Sequence, residues 1–294
     1  MLVVLLGLAT AWWDVGHMLT AAIAEQRMNK LDPDASVRFR NVVGSINDLC
    51  NEKSRTFIES ACWPDDIKGR DYKMGLWNPW HFKDSPYVGD MTTPVINYTE
   101  AAVSSIEVMA MAKAVLSKDV DRMSAEKALS ARYAVHLVGD IHQPLHSVAL
   151  FNKTYPKGDI GGNAYNVTLV NGSHSNFHSF WDAGGYIIQN DTWFITRPMN
   201  IQNLTVLRDV ANGMISEYGG QVEALAENID PVTWAQESLE VAVNTTYPHI
   251  AKTGVLDMEY TMQTYETARK RITLAGYRLA NWAISIFKRA QPQP

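Results

Sequence analysis

Helical periodicity constrains this chain more than any other feature. Apolar residues recur at a spacing near 3.6 over residues 17–28, 36–49, 98–116, 125–140, 204–218, 231–243 and 262–287. Asp230-Pro231 opens one of these stretches with an N-cap acid and a proline at the first helical position. The one run with strand character is short, residues 164–170, and residues 158–163 (GDIGGN) read as a loop. These patterns predict a mainly α fold, a single-domain multi-helix bundle with a small amount of short strand in its loops. No repeat, low-complexity tract or Pro/Gly/Ser linker divides the chain. Long connections in such folds are often functional, so residues 63–94 and 151–178 draw the search for a site.

Of the 294 residues, 46% are apolar and 19% charged, which excludes a disordered or fibrous chain. With 26 Lys+Arg against 31 Asp+Glu the net charge is −5, and that balance argues at first against nucleic-acid binding, which usually leaves a basic footprint. Residues 1–11 (MLVVLLGLATA) are apolar or small and end Ala9-Thr10-Ala11, a cleavage signature directly before Trp12. They are expected to be a signal-peptide remnant. Asn-x-Ser/Thr sequons at Asn97, Asn152, Asn166, Asn171, Asn190, Asn203 and Asn244 fit a secreted glycoprotein. In that compartment Cys50 and Cys62 are expected to form one disulfide, the alternative being two buried thiols. No run reaches the ~20 uninterrupted apolar residues of a transmembrane helix. The best later run, 272–287, contains Arg278 and Asn281 and reads as a buried amphipathic helix.

The histidines are unevenly placed. His136-Leu-Val-Gly-Asp140-Ile-His142-Gln-Pro144-Leu-His146 holds three of them. His136 and Asp140 are four apart and project from one helical face, where they can grip one metal or two adjacent ones. A straight helix would turn His146 about 80° away from His136. Pro144, however, bends or ends the helix and can aim His146 at a neighbouring ion. His178-Ser-Phe-Trp-Asp182 repeats the i, i+4 pairing. Asp65 in Trp63-Pro64-Asp65, His81 in Trp80-His81-Phe82, and His17 close behind Trp12-Trp13 complete a pool of ligand-grade groups. Imidazole, carboxylate and amine suit zinc, and the pool is large enough for more than one ion. His142 points elsewhere by its helical angle and is expected to support structure, while His174 and His249 read as surface residues.

Together, HxxxD…HQPLH with the later GGN and HxxWD resembles the zinc-dependent single-strand nucleases of the fungal S-one/P-one type, within the phospholipase C/nuclease superfamily. It is most similar to the trypanosomatid 3′-nucleotidase/nucleases. The resemblance runs from Trp12 to Ala275-Gly276-Tyr277-Arg278-Leu279-Ala280, which implies one catalytic domain over 12–290 and a short tail, 291–294. It implies three zinc ions: one on Asp65, His81, His136 and Asp140; one on His146, His178 and Asp182; and one on the α-amine and carbonyl of Trp12, with His17 and a bridging Asp140. An α-amine is a ligand only when free, so loss of residues 1–11 is expected to complete the site.

The implied reaction is metal-assisted phosphoester hydrolysis, giving 5′-nucleotides from single-stranded RNA or DNA and removing phosphate from 3′-nucleotides. Asp65 is expected to orient the nucleophile. Lys68 stands where the family carries an Arg that touches phosphate, keeping the charge without the bidentate fork. Phe82 and Asp84 match the positions that stack on a base and accept from its edge; the alternative for Phe82 is ordinary core packing. The expected partners are single-stranded nucleic acid and 3′-nucleotides, bound by a secreted monomer. The chain ends Gln291-Pro-Gln-Pro294, without the membrane anchor several trypanosomatid relatives carry. A zinc phospholipase C of the same fold and a non-catalytic zinc-binding protein are the competing readings. Three zinc ions would add six positive charges where a phosphate goes, which narrows the objection from net charge: the chain should draw one phosphate into a cleft rather than coat a duplex.

Overall fold

Side-chain caps set where most helices begin. α1 (Asp14–Leu31) follows the extended Trp13, and Asp32, which ends it, also caps α2 (Pro33–Gly44) by accepting from the Ala35 amide. Three 3-10 turns then lead into the short α3 (Trp63–Lys68). α4 (Ser105–Leu116) opens on a capping box of Ser104 with Glu107, and α5 (Ala125–His142) on Ser124. Asn176 caps α6 (Phe177–Asp182); α7 (Ile187–Thr192) and α8 (Ile201–Val222) follow. Asp230 and Pro231 start α9 (Pro231–Val241) as the sequence predicts, and a π-helical turn, Ala242–Thr246, joins it to α10 (Tyr247–Ile250). α11 (Met258–Phe287) is 30 residues long and capped by Asp257.

This computed structural model describes residues 12–68, 75–89, 98–192, 194–250 and 254–289. The expected leader 1–11, the sequon Asn97, the side chain of Asn190 and the tail 291–294 lie outside the described residues.

α1 is buried nearly all round from Val15 to Glu25, so it forms the axis of the bundle rather than a face of it. α11 packs along α1, α5 and α8, while α4 covers α5. Trp12, Trp234, Trp282, Phe39 and Phe287 are the largest side chains of this main core. A second, smaller core gathers Leu145, Val148, Phe177, Phe180, Trp181, Tyr247 and Tyr260. The candidate site lies where the two meet. Among the described residues no helix is long and apolar enough to cross a membrane.

Two features depart from the sequence reading, beside one expected strand. The run 164–170 does yield a strand, β3 (Asn166–Thr168), paired antiparallel with β4 (His174–Asn176). The two long connections, expected to be irregular, also contribute a parallel pair: β1 (Ser85–Val88) lies beside β2 (Val148–Phe151) with Ser85 opposite Val148. Cys50 and Cys62 are both buried free thiols, so the expected disulfide is not formed. Cys62 is committed elsewhere, its Sγ lying 3.4 Å from the Asp14 carbonyl under the start of α1.

Buried cations tie distant segments to α5. Arg132 donates to the Val43 and Ser54 carbonyls at 3.1 and 2.9 Å and to Asn47, fixing the stretch between α2 and α3. At the other end, Ser238 Oγ donates to the Ile141 carbonyl and Arg271 Nε to the His142 carbonyl at 3.0 Å, satisfying orphaned acceptors of the helix terminus. His142 turns away from the site, as its helical angle predicts: its Nδ1 lies 2.7 Å from the Val138 carbonyl and its Nε2 accepts from Arg278, itself paired with Glu237.

The α1–α11 contact admits no side chain at Gly276. A Cβ there would fall 2.6 Å from Ile23 Cγ2 and 2.9 Å from the Thr20 carbonyl oxygen. Gly276→Ala should therefore destabilise the protein by about 1–3 kcal/mol through overpacking, despite alanine's better helix propensity. Thermal or urea unfolding checks this; an unchanged or higher midpoint would show that the two helices separate at little cost.

Candidate metal centre

Four segments converge on α5. His136 and Asp140, one turn apart, are both fully buried. Asp140 Oδ2 lies 3.0 Å from His81 Nδ1 and 3.1 Å from His136 Nε2, while its Oδ1 lies 3.3 Å from His17 Nε2. Each oxygen thus faces a different set of rings. Asp65, on α3, places Oδ1 3.5 Å from His136 Nε2 and 3.6 Å from His81 Nδ1. The rings of His17 and His136 stack with centroids 4.0 Å apart. Pro144 ends α5 in a 3-10 turn that swings His146 toward α6, where His146 Nε2 lies 3.0 Å from His178 Nε2. His178 Nε2 is 3.5 Å from Asp182 Oδ2.

These side chains form three groups: His17, His136 and Asp140; Asp65, His81 and His136; His146, His178 and Asp182. Within each group the ligand atoms all lie within 4.8 Å of one another. All eight side-chain ligands expected from the sequence are therefore brought together. The ninth residue, Trp12, is fully buried, and its indole N–H donates to the Gly139 carbonyl at 3.0 Å. The next amide, Trp13 N, donates to the Asp182 carbonyl at 3.1 Å, so this stretch is pinned between α5 and α6.

Backbone carbonyls orient the rings. His136 Nδ1 contacts the Ala61 carbonyl at 2.6 Å, His146 Nδ1 the His81 carbonyl at 2.8 Å, and His178 Nδ1 the Gly161 carbonyl at 2.6 Å. A carbonyl only accepts, so each Nδ1 carries a proton, and in the neutral ring Nε2 presents a lone pair. The Nε2 lone pairs of His146 and His178 then point at one another across 3.0 Å. Burial, and for His178 next the neighbouring His146, lowers both pKa values, that of His178 to about 3, so neither ring takes up a proton to relieve the repulsion. Further polar atoms at the site are buried without a hydrogen-bond partner: both ring nitrogens of His17, His81 Nε2 and Asp140 Oδ1. Apposed lone pairs and an orphaned carboxylate oxygen among buried side chains are what cation ligands look like, and the donor set fits zinc.

The remaining groups divide between neutral and charged forms. Burial lowers His17 to about 3 and, with Lys68, His81 to about 4, keeping both rings neutral. Burial also works against the charged form of His136, but Asp140 and Asp65 outweigh it and raise that ring to about 10. Burial pushes Asp182 well above the usual carboxylate range, against the pull of Gln143. Gln143 Nε2 donates to Asp182 Oδ1 at 2.6 Å while its Oε1 accepts from the Leu145 amide. The sequence reading gave Gln143 no role; its signal was a side chain fixed between His142 and Pro144. Lys68 Nζ sits 2.5 Å from Asp65 Oδ1, buried at the metal cluster. Phe82 and Asp84 are both half-buried, on the extended segment whose Lys83 amide donates to the His146 carbonyl at 2.7 Å. Among the sequons, Asn166, Asn171 and Asn244 are exposed, whereas Asn203 is turned inward and donates to the Phe194 carbonyl at 3.3 Å.

Comparison with known proteins places this arrangement. The sequence profile of the S1/P1 nuclease family matches residues 12–288, nearly the whole chain, and the protein belongs to that family. It is similar to nuclease PA3 of a Penicillium species and to nuclease P1 of Penicillium citrinum, each 28% identical over 286 residues, covering 92% of this chain and 96% of the relative. Endonuclease 3 of Arabidopsis thaliana is 26% identical over 301 residues, covering 95% of this chain and 90% of the relative. The protein is accordingly a nuclease, a hydrolase acting on nucleic-acid ester bonds.

Burial, with Asp159 nearby, raises Asp84 from 3.8 to about 7. A carboxyl whose pKa rises on folding contributes stability that is fully present below its unfolded value and is lost as the pH climbs through the folded one. Asp84→Asn, neutral throughout, should gain in denaturation midpoint relative to the wild type as the pH rises from about 4 through about 7. Urea titrations of both proteins across that range measure it, and a constant difference refutes the assignment.

Proposed function

We propose that this chain is a secreted tri-zinc phosphoesterase that hydrolyses single-stranded RNA and DNA to 5′-nucleotides and removes phosphate from 3′-nucleotides. The observation that carries the reading is the facing pair of Nε2 lone pairs on His146 and His178, with Asp140 nearby offering one oxygen to each of two other histidine sets. His146, His178 and Asp182 would hold one zinc; three protein ligands leave room for a substrate oxygen, as in catalytic zinc sites. Asp65, His81, His136 and Asp140 would hold a second, and His17 and Asp140, with the amine and carbonyl of Trp12, a third. Bound there, zinc supplies Lewis-acid polarisation of the phosphoryl group and an activated water at neutral pH.

The protein groups supply the rest. Asp65 accepts a hydrogen bond from the attacking water and fixes its direction. Lys68 presents a compact positive charge beside Asp65 to a non-bridging phosphate oxygen. Phe82 offers a ring face to a base, a contact worth about 1–3 kcal/mol and indifferent to sequence. Asp84, raised to about 7 by burial, can donate to a base edge when protonated and accept from one when ionised. Stacking needs an unstacked base, which accounts for a preference for single strands. The exposed sequons Asn166, Asn171 and Asn244 support passage through the secretory pathway.

Purified protein beginning at Trp12 should carry about three zinc ions by elemental analysis. It should hydrolyse 3′-AMP and single-stranded RNA, lose activity to a chelator and regain it with zinc. Fewer than two zinc ions per chain, or equal cleavage of 5′-AMP, sinks the reading. The role of the Trp12 amine has its own test. A form retaining Ala11 has an amide nitrogen at that position, which cannot serve as a ligand, and should bind one zinc fewer and lose most of its activity. Full metal content and full rate in that form would remove Trp12 from the ligand set.

A further inference from the structure

Arg197 lies in the connection between α7 and α8, far in sequence from every ligand, yet its side chain is 7% exposed. Its guanidinium makes four hydrogen bonds and one further ion-pair contact. Nε and one terminal nitrogen reach Asp14 Oδ2 at 2.9 and 2.8 Å. The two terminal nitrogens grip Asp66 as a fork, both at 2.8 Å, and one of them also donates to the Lys53 carbonyl at 3.1 Å. Two residues on, the Met199 amide donates to the buried Glu59 at 2.5 Å. The strap 197–199 is thus bonded to the start of α1 and to the turns and helix that carry Asp65.

Those partners sit beside the metal centre. Asp14 lies between Trp12 and His17, and Asp66 follows Asp65 directly. Asp14 and Asp66 have no direct bond to one another among the described contacts; the guanidinium is what joins them. We propose that Arg197 is a positioning residue of the metal centre: it holds the N-terminal segment bearing Trp12 and His17 in register with the helix bearing Asp65. The proposal rests on the zinc reading given above. Charge-assisted, bidentate bonds are the strong, directional kind, and a lysine, with one nitrogen, cannot make them all at once. Groups that orient metal ligands typically change metal affinity about 10- to 100-fold when altered.

The test is zinc retention against a graded chelator, read by elemental analysis in the full-length mature protein, with metal-free unfolding midpoints recorded alongside. The variants are Arg197→Lys, Asp14→Asn and, as a control, Arg27→Lys. Arg27 makes a comparable fork to Glu223 on a part of the surface with no bond to any ligand. Arg197→Lys is expected to release zinc at a chelator concentration about 10- to 100-fold lower than the wild type, Asp14→Asn to shift the same way by less, and Arg27→Lys to leave release unchanged. Wild-type retention in a folded Arg197→Lys, or equal loss in Arg27→Lys, overturns the proposal. If Arg197→Lys does not fold, Asp14→Asn decides, and wild-type retention there overturns it as well. The wild-type arm alone reports on the metal reading, so a protein that binds no zinc fails there before any variant is compared.

Discussion

Burial alone would neutralise Asp140, but His136 first, and then His81 and His17, hold its carboxylate ionised in the centre of the protein. Much of the architecture follows from the need to sustain that charge. The rings that face it come from α1, from α5 itself and from the segment before β1, so these elements must meet at one point. His136, His146 and His178 are each locked by a backbone carbonyl, from Ala61, His81 and Gly161, which fixes a proton on Nδ1 and turns Nε2 inward. The precision comes from main chain as much as from side chains.

His81 shows how the ligand sets are registered to one another. Its ring faces Asp140, while its carbonyl accepts from His146 in a different set. The parallel pairing of β1 with β2 holds the chain after His81 alongside the chain after His146 over four residue pairs. A single ladder therefore sets the spacing between two of the three ligand groups. Just before it, the Lys83 amide bonded to the His146 carbonyl brings Phe82 and Asp84 alongside His146.

The parts of this design that are local in sequence were legible in it. The i, i+4 pairs His136–Asp140 and His178–Asp182 announce themselves because helical spacing puts both groups on one face, and Pro144 signals the turn that re-aims His146. The helices were visible for the same reason. The β1–β2 pair was not: Ser85-Pro86-Tyr87-Val88 is four residues with a proline and no alternation, and its partner lies in another connection. Arg197 was invisible because its meaning depends on Asp14 and Asp66, far away along the chain. The cysteines misled because a secretory context suggests that two thiols form a bridge, whereas the 3-10 turn that ends at Cys62 directs its sulfur to the Asp14 carbonyl.

Gly139 bears on how closely the start of α1 can approach α5. A Cβ at this position would fall 2.9 Å from His17 Nδ1 and 3.7 Å from the Trp12 indole, so the bare backbone of α5 is what admits both rings. Any side chain at 139 would push the His17 ring away from Asp140, whose Oδ1 lies 3.3 Å from its Nε2. The absence of one methyl group thus sets how near the N-terminal segment comes to the centre of the site.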